Sequence, residues 1–179
     1  MIETLGAYNK YVTEAKERSQ HPYKLKYDGY MKKGTFYQLQ QPSPQAEYEA
    51  HEWLACELAA QMWRNGKRVL IACETQQQAE KIDEALWQRD PHQFVPHNLA
   101  GEGPRYGAPI EICWPNKRGN TPRDILINLQ SQFADFATAF HEVVDFVPID
   151  ETLKQLARER YKIYRSVGFN LTMATPPAY

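Results

Sequence analysis

Cysteine is scarce in this 179-residue chain. The three present, Cys56, Cys73 and Cys113, are odd in number, widely spaced and set among apolar neighbours, and no Cys-x-x-Cys occurs. That pattern argues against a disulfide framework and for buried free thiols in a reducing compartment. None of the five histidines, His21, His51, His92, His97 and His141, stands four residues from another, so no metal site is expected. Also missing is any apolar run near the roughly 18 residues that a membrane helix needs. The first residues carry Glu3, Lys10 and Glu14 where a secretory signal would be apolar, and a cytoplasmic protein without membrane contact is expected. Charge of one sign is lacking too: 21 Lys and Arg stand against 22 Asp and Glu, a net of −1. Such a balance argues against a protein that coats nucleic acid. What the chain does contain is apolar and aromatic material, 42% hydrophobic with seven Phe, eleven Tyr and four Trp, enough for one ordinary domain core.

Residues 1–30 differ from the rest. Tyr8, Tyr11, Tyr23, Tyr27 and Tyr30 are interleaved with Lys10, Lys16, Arg18, Lys24 and Lys26, and a helix over 4–18 would stop at His21-Pro22. The segment reads as an upstream extension; a basic-aromatic arm that stacks on single-stranded nucleic acid is the alternative. From Met31 the pattern becomes regular, and residues 31–179 form one expected domain. Thr35–Leu39 reads as a strand, and Ser43-Pro44 as the start of a helix that carries Trp53, Leu54, Leu58 and Met62 and stops at Asn65-Gly66. Arg68–Cys73 is a buried strand, and Thr75-x-x-Gln78 opens a second helix that runs to Trp87. Extended segments follow at 94–97, 110–114, 124–129 and 142–147, then a helix over about 150–167. This order predicts a wound, mostly parallel, Rossmann-like α/β sheet with helices on both faces.

Such a sheet invites a nucleotide, but the chemistry for one is absent from the sequence. The two strand-to-helix turns, Gln40–Ser43 and Glu74-Thr75, contain no glycine, and Glu74 would repel phosphate. The run Gly101-Glu-Gly103-Pro-Arg105-Tyr-Gly107 has the wrong spacing for a dinucleotide fingerprint, and Pro104 and Pro109 prevent a helix there. No Gly-x-Ser-x-Gly elbow occurs, and His97 with Glu102 is the one weak acid-base couple. No catalytic residue, metal or cofactor is expected; a nucleotide-dependent hydrolase is the enzyme alternative.

Two stretches read as binding surfaces. On the last helix, Leu153, Leu156, Ala157, Ile163, Tyr164 and Val167 suggest a core-facing stripe, while Lys154, Arg158 and Lys162 recur every four residues on another face. Tyr161 and Arg165 adjoin them, Val147-Pro148 leads into the helix, and Arg160 adds to the local positive charge. Like charges at this spacing typically cost a helix about 0.2–0.5 kcal/mol per pair. Many such stripes are merely solvated, but cations around an apolar floor suit an acidic peptide ending in an aromatic residue and a free carboxylate. The second stretch is Trp87 with Phe94-Val95-Pro96, which reads either as a cap on the core or as an exposed aromatic-proline interface.

Several long runs then carry a resemblance: residues 66–74 (GKRVLIACE), 83–87 (DEALW), 94–104 (FVPHNLAGEGP), 133–140 (FADFATAF), 143–148 (VVDFVP) and 153–162 (LKQLARERYK). Together they resemble the chi subunit of the bacterial DNA polymerase III holoenzyme over about residues 31–170. The resemblance implies a non-catalytic adaptor that pairs with the psi subunit, reaches the clamp loader through psi, and binds the acidic C-terminal tail of single-stranded DNA-binding protein (SSB). DNA contact would then be mostly indirect. It further implies a tail site at Val147, Lys154, Arg158, Tyr161 and Lys162, with Arg165 as an addition. Trp87, Phe94, Val95 and Pro96 would face psi or, through an overlapping patch, a helicase-like repair protein.

Overall fold

Three short runs, Val69–Ala72, Ile110–Cys113 and Ile125–Asn128, are buried along their whole length, and only Glu111 and Asn128 in them are polar. Strands without a solvent face need cover on both sides, and these three lie at the middle of a wholly parallel sheet. The computed structural model describes residues 31–178, in which the chain runs β1 (Lys33–Gln38), α1 (Ala50–Arg64), β2 (Val69–Ala72), α2 (Gln76–Trp87), β3 (His97–Leu99), β4 (Ile110–Cys113), β5 (Ile125–Asn128), β6 (Glu142–Val147), α3 (Glu151–Ser166) and β7 (Asn170–Ala174). Single 3-10 turns occupy Pro91–Gln93 and Asp135–Ala139. The strand order is β3-β4-β2-β5-β6-β1-β7. The expectations for residues 1–30, extension or single-strand-binding arm, lie outside the described residues.

Alternation along the strands divides the core into two layers. Val69 and Ile71 pack with Leu54 and Leu58 of α1 and Ile82 and Leu86 of α2 on one face. Leu70 and Ala72 pack with Phe36, Tyr164 and Phe169 beneath α3 on the other. Helices thus cover both faces, the wound α/β arrangement expected. The two helices of the first layer are also joined through Glu52, which accepts from Glu49 N (2.9 Å), Lys81 Nζ (2.7 Å) and Gln78 Nε2 (3.1 Å). Burial alone would raise its carboxyl, but these bonds outweigh burial and hold it below the usual carboxylate range.

Four features differ from the sequence reading: two element boundaries, one added strand and the inward face of one helix. Ser43-Pro44 does not open α1: Ser43 Oγ accepts from Gln45 N (3.2 Å) in a tight turn, and the helix begins at Ala50 behind the Glu49-Glu52 cap. The segment 94–97 pairs only from His97, because Pro96 has no N–H to give; its carbonyl accepts from Ile110 N instead (3.2 Å). Strand β7 was not anticipated, being short, half polar and paired with β1 alone. On α3 the inward residues are Ala157, Arg160 and Tyr164, whereas Leu153, Ile163 and Val167 are exposed.

Candidate functional site

The rotation of α3 is set by one buried ion pair. Arg160 Nε lies 3.0 Å from Asp145 Oδ2 and Arg160 Nη2 2.9 Å from Asp145 Oδ1, a bidentate fork on β6. Its Nη1 donates to Ser131 O (2.8 Å), and Asn128 Nδ2 donates to Asp145 (3.0 Å), so the charged groups are satisfied on every side. Arg160 therefore belongs to the interior, and the charge that the sequence reading counted with the basic helix face is spent on Asp145. The phenol of Tyr164, one turn further on, is pushed far up by burial and by neighbouring Asp145.

With Arg160 turned inward, Lys154, Arg158, Lys162 and Arg165 emerge together on the opposite flank. Asp150 caps the helix, accepting from Leu153 N (3.0 Å). Lys154 and Lys162 each meet an acid of their own helix, Glu151 at 3.2 Å and Glu159 at 3.5 Å. Among the described residues Arg158 has no carboxylate partner; it donates only to Gln155 Oε1 (3.3 Å). Tyr161 lies half-buried at the boundary between the cations and the core, its ring edge-on to Phe36 at 5.1 Å. Val147, the last residue of β6, packs into the same apolar cluster. The structure thus brings the six residues of the first expected surface onto one helix flank and the strand end that feeds it.

The second expected surface is only partly as read. Trp87 is 59% exposed and Phe94 44%, with ring centroids 5.3 Å apart, so the aromatic pair faces outward. Pro96 is half-buried beside it. Val95 is fully buried in the core and presents no side chain to this surface. Beneath the pair lies His97, its ring 4.9 Å from Trp87 and 6.1 Å from Phe94. His97 Nδ1 is 2.8 Å from Val95 O and Nε2 3.3 Å from Asp83 Oδ1, so its acidic neighbour is Asp83 rather than Glu102. Burial raises the Asp83 carboxyl, against the opposing pull of His97. Sequence reasoning missed this support, although Asp83 and Trp87 stand four residues apart on α2 and so share a face.

The crevice at the carboxyl ends of the strands, where α/β sheets hold ligands, is a cavity of about 220 Å³. Its walls are already engaged: Glu74 accepts from Ser131 N (2.6 Å) and Oγ (2.8 Å), and Arg160 from the back holds Asp145. The glycine run forms a turn in which Gly101, Gly103 and Gly107 take positive φ, ahead of β4. All three cysteines are buried and free, and burial pushes the Cys56 and Cys113 thiols up to about 12 and that of Cys73 well up. Among the described residues no cluster of His, Cys, Asp and Glu could hold a metal, and no helix is long and apolar enough to cross a membrane.

Residues 31–172 match the family described as DNA polymerase III chi subunit, HolC. The DNA polymerase III subunit chi of Escherichia coli (strain K12) is 63% identical over 145 residues, spanning 81% of this chain and 99% of that protein. The subunit chi of Haemophilus influenzae is 57% identical over 121 residues (68% and 84%), and that of Pseudomonas aeruginosa 34% over 128 residues (72% and 88%). The crystal structure of T4 UvsW superposes with a TM-score of 0.53 at 12% identity, over 81% of this chain and 41% of the other, a likeness of fold alone.

Proposed function

Because the chain belongs to the DNA polymerase III chi-subunit family, we propose that it serves as a non-catalytic adaptor of the clamp-loader complex in the cytoplasm, binding the acidic C-terminal tail of SSB on α3. The observation that carries this reading is the α3 flank itself: cations without full partners, bordered by half-buried Tyr161 and Val147. Aspartates and the terminal carboxylate of the tail would pair with Lys154, Arg158, Lys162 and Arg165, and its last apolar side chains would rest on Val147 and Tyr161. The outward aromatic pair Trp87-Phe94, with Pro96, suits psi, which would connect the protein to the clamp loader; a helicase-like repair protein would compete for the same patch. Contact with DNA is then mostly through SSB, in support of lagging-strand synthesis.

A titration of the full chain with an SSB tail peptide tests this reading. The affinity is expected to fall as salt rises past physiological strength, and Arg158→Ala to lose about 1–3 kcal/mol of binding with an unchanged melting temperature. Peptide binding that ignores both salt and Arg158 would refute the α3 site.

A further inference from the structure

We infer that Met173, on the edge strand β7, extends the apolar border that Tyr161 and Val147 form beside the α3 cations and grips the terminal aromatic side chain of the acidic peptide. The inference rests on the tail-binding reading above and adds a contact from a different element. Strand β1 pairs in parallel with β6 on one side and with β7 on the other, with Phe36 in register with Asp145 and with Met173. Residues in register across parallel strands point to the same face. On that face Phe36 and Leu171 belong to the cluster beneath α3, and a Cβ on Gly34 would come within 2.6 Å of Leu171 Cδ2. Met173, two residues beyond Leu171, therefore emerges on the α3 side of the sheet.

The rotation of α3 decides which neighbour it meets. Arg160 points toward β6 and β5, where it holds Asp145 and Ser131 O. Tyr161 lies about 100° further round the helix and rests on Phe36 of β1. Moving outward from β6 to β1 leads next to β7, so Met173 flanks Phe36 on the side that Tyr161 and the cations overlook. The side chain is 47% exposed on a strand that carries no charge, although edge strands are commonly guarded by one. An unbranched thioether opposite an aromatic ring can adapt to a guest ring placed between them. Charge complementarity chooses the guest: the cations beside these side chains select an acidic chain, and Tyr161 and Met173 take its apolar end.

The test is a titration of the full-length chain with a synthetic acidic peptide that ends in Phe with a free carboxylate, and with the same peptide ending in Ala. Met173→Ala and Met173→Ser are each expected to weaken the Phe peptide roughly three- to tenfold, by the same factor at low and high salt, since neither changes the charge. Neither should change the weaker Ala peptide, and Thr172→Ala should bind like wild type. If wild type binds and Arg158→Ala does not, yet both Met173 variants match wild type, the inference is overturned while the α3 reading stands. If wild type fails to bind the Phe peptide, both fall. An equal loss in Thr172→Ala would also overturn it, since the effect would belong to the strand and not to the side chain.

Discussion

Arg160 and Arg158 are two residues apart on α3 and have opposite tasks. The first is buried against Asp145 with its nitrogens all directed at acceptors, and the second stands in solvent with only Gln155 beside it. Removing one member of a buried pair strands the other charge, a loss of typically about 3–5 kcal/mol. Arg160→Ala should therefore lower the thermal midpoint by many degrees, whereas Arg158→Ala should leave it in place while weakening the peptide. Denaturant melts of the two variants side by side would distinguish the roles, and equal losses would mean that Arg158 is structural. In sequence the two arginines look alike. What separates them is a partner fifteen positions back on β6, which helical spacing alone does not reveal.

At the level of elements, β7 is held by close approach to β1. A methyl group at position 34 would meet Leu171 Cδ2 at 2.6 Å and Val143 Cγ2 at 3.0 Å, so Gly34→Ala is expected to destabilise by about 1–3 kcal/mol. The loss should shrink in a Leu171→Ala background, where one of the two clashes is gone; an unaltered loss in the double variant would place the strain elsewhere. The same strand marks how far sequence reading reached. Strands β2, β4 and β5 were legible because burial on both faces demands runs that are mostly apolar and rich in β-branched residues, interrupted here only by Glu111 and Asn128, and α2 because Thr75 accepts from Gln78 N (3.1 Å) as its spacing implied. Strand β7 was not, since its polar residues become a strand only through pairing with β1. The apolar stripe of α3 was misjudged for a related reason: Leu153 and Ile163 yield the inward position to Arg160, whose burial depends on Asp145. At the aromatic patch the sequence run suggested three apolar neighbours facing out, but alternate residues of an extended segment point opposite ways, which sends Val95 into the core between exposed Phe94 and half-buried Pro96.

For the molecule as a whole, the two surfaces lie on opposite faces and opposite edges of the sheet. Trp87 ends α2, in the layer shared with α1 and beside edge strand β3, while the α3 flank borders the other edge strand, β7. Six strand spacings of about 4.8 Å separate those edges by about 29 Å. That separation leads to the expectation that binding at one surface leaves the other open. Trp87→Ala is expected to weaken psi binding yet leave the tail-peptide affinity within twofold of wild type, and saturating psi should leave it equally unchanged. A larger change in calorimetric titration would reveal thermodynamic coupling between the surfaces, which by linkage would act in both directions. The three cysteines give this arrangement a practical side. All are enclosed, with thiols held protonated far above neutral pH, so the folded chain is nearly blank to maleimide chemistry. A single cysteine introduced by Ser166→Cys at the exposed end of α3 would accept a fluorophore selectively, and the chain could report on its own partners without first being stripped of its native thiols.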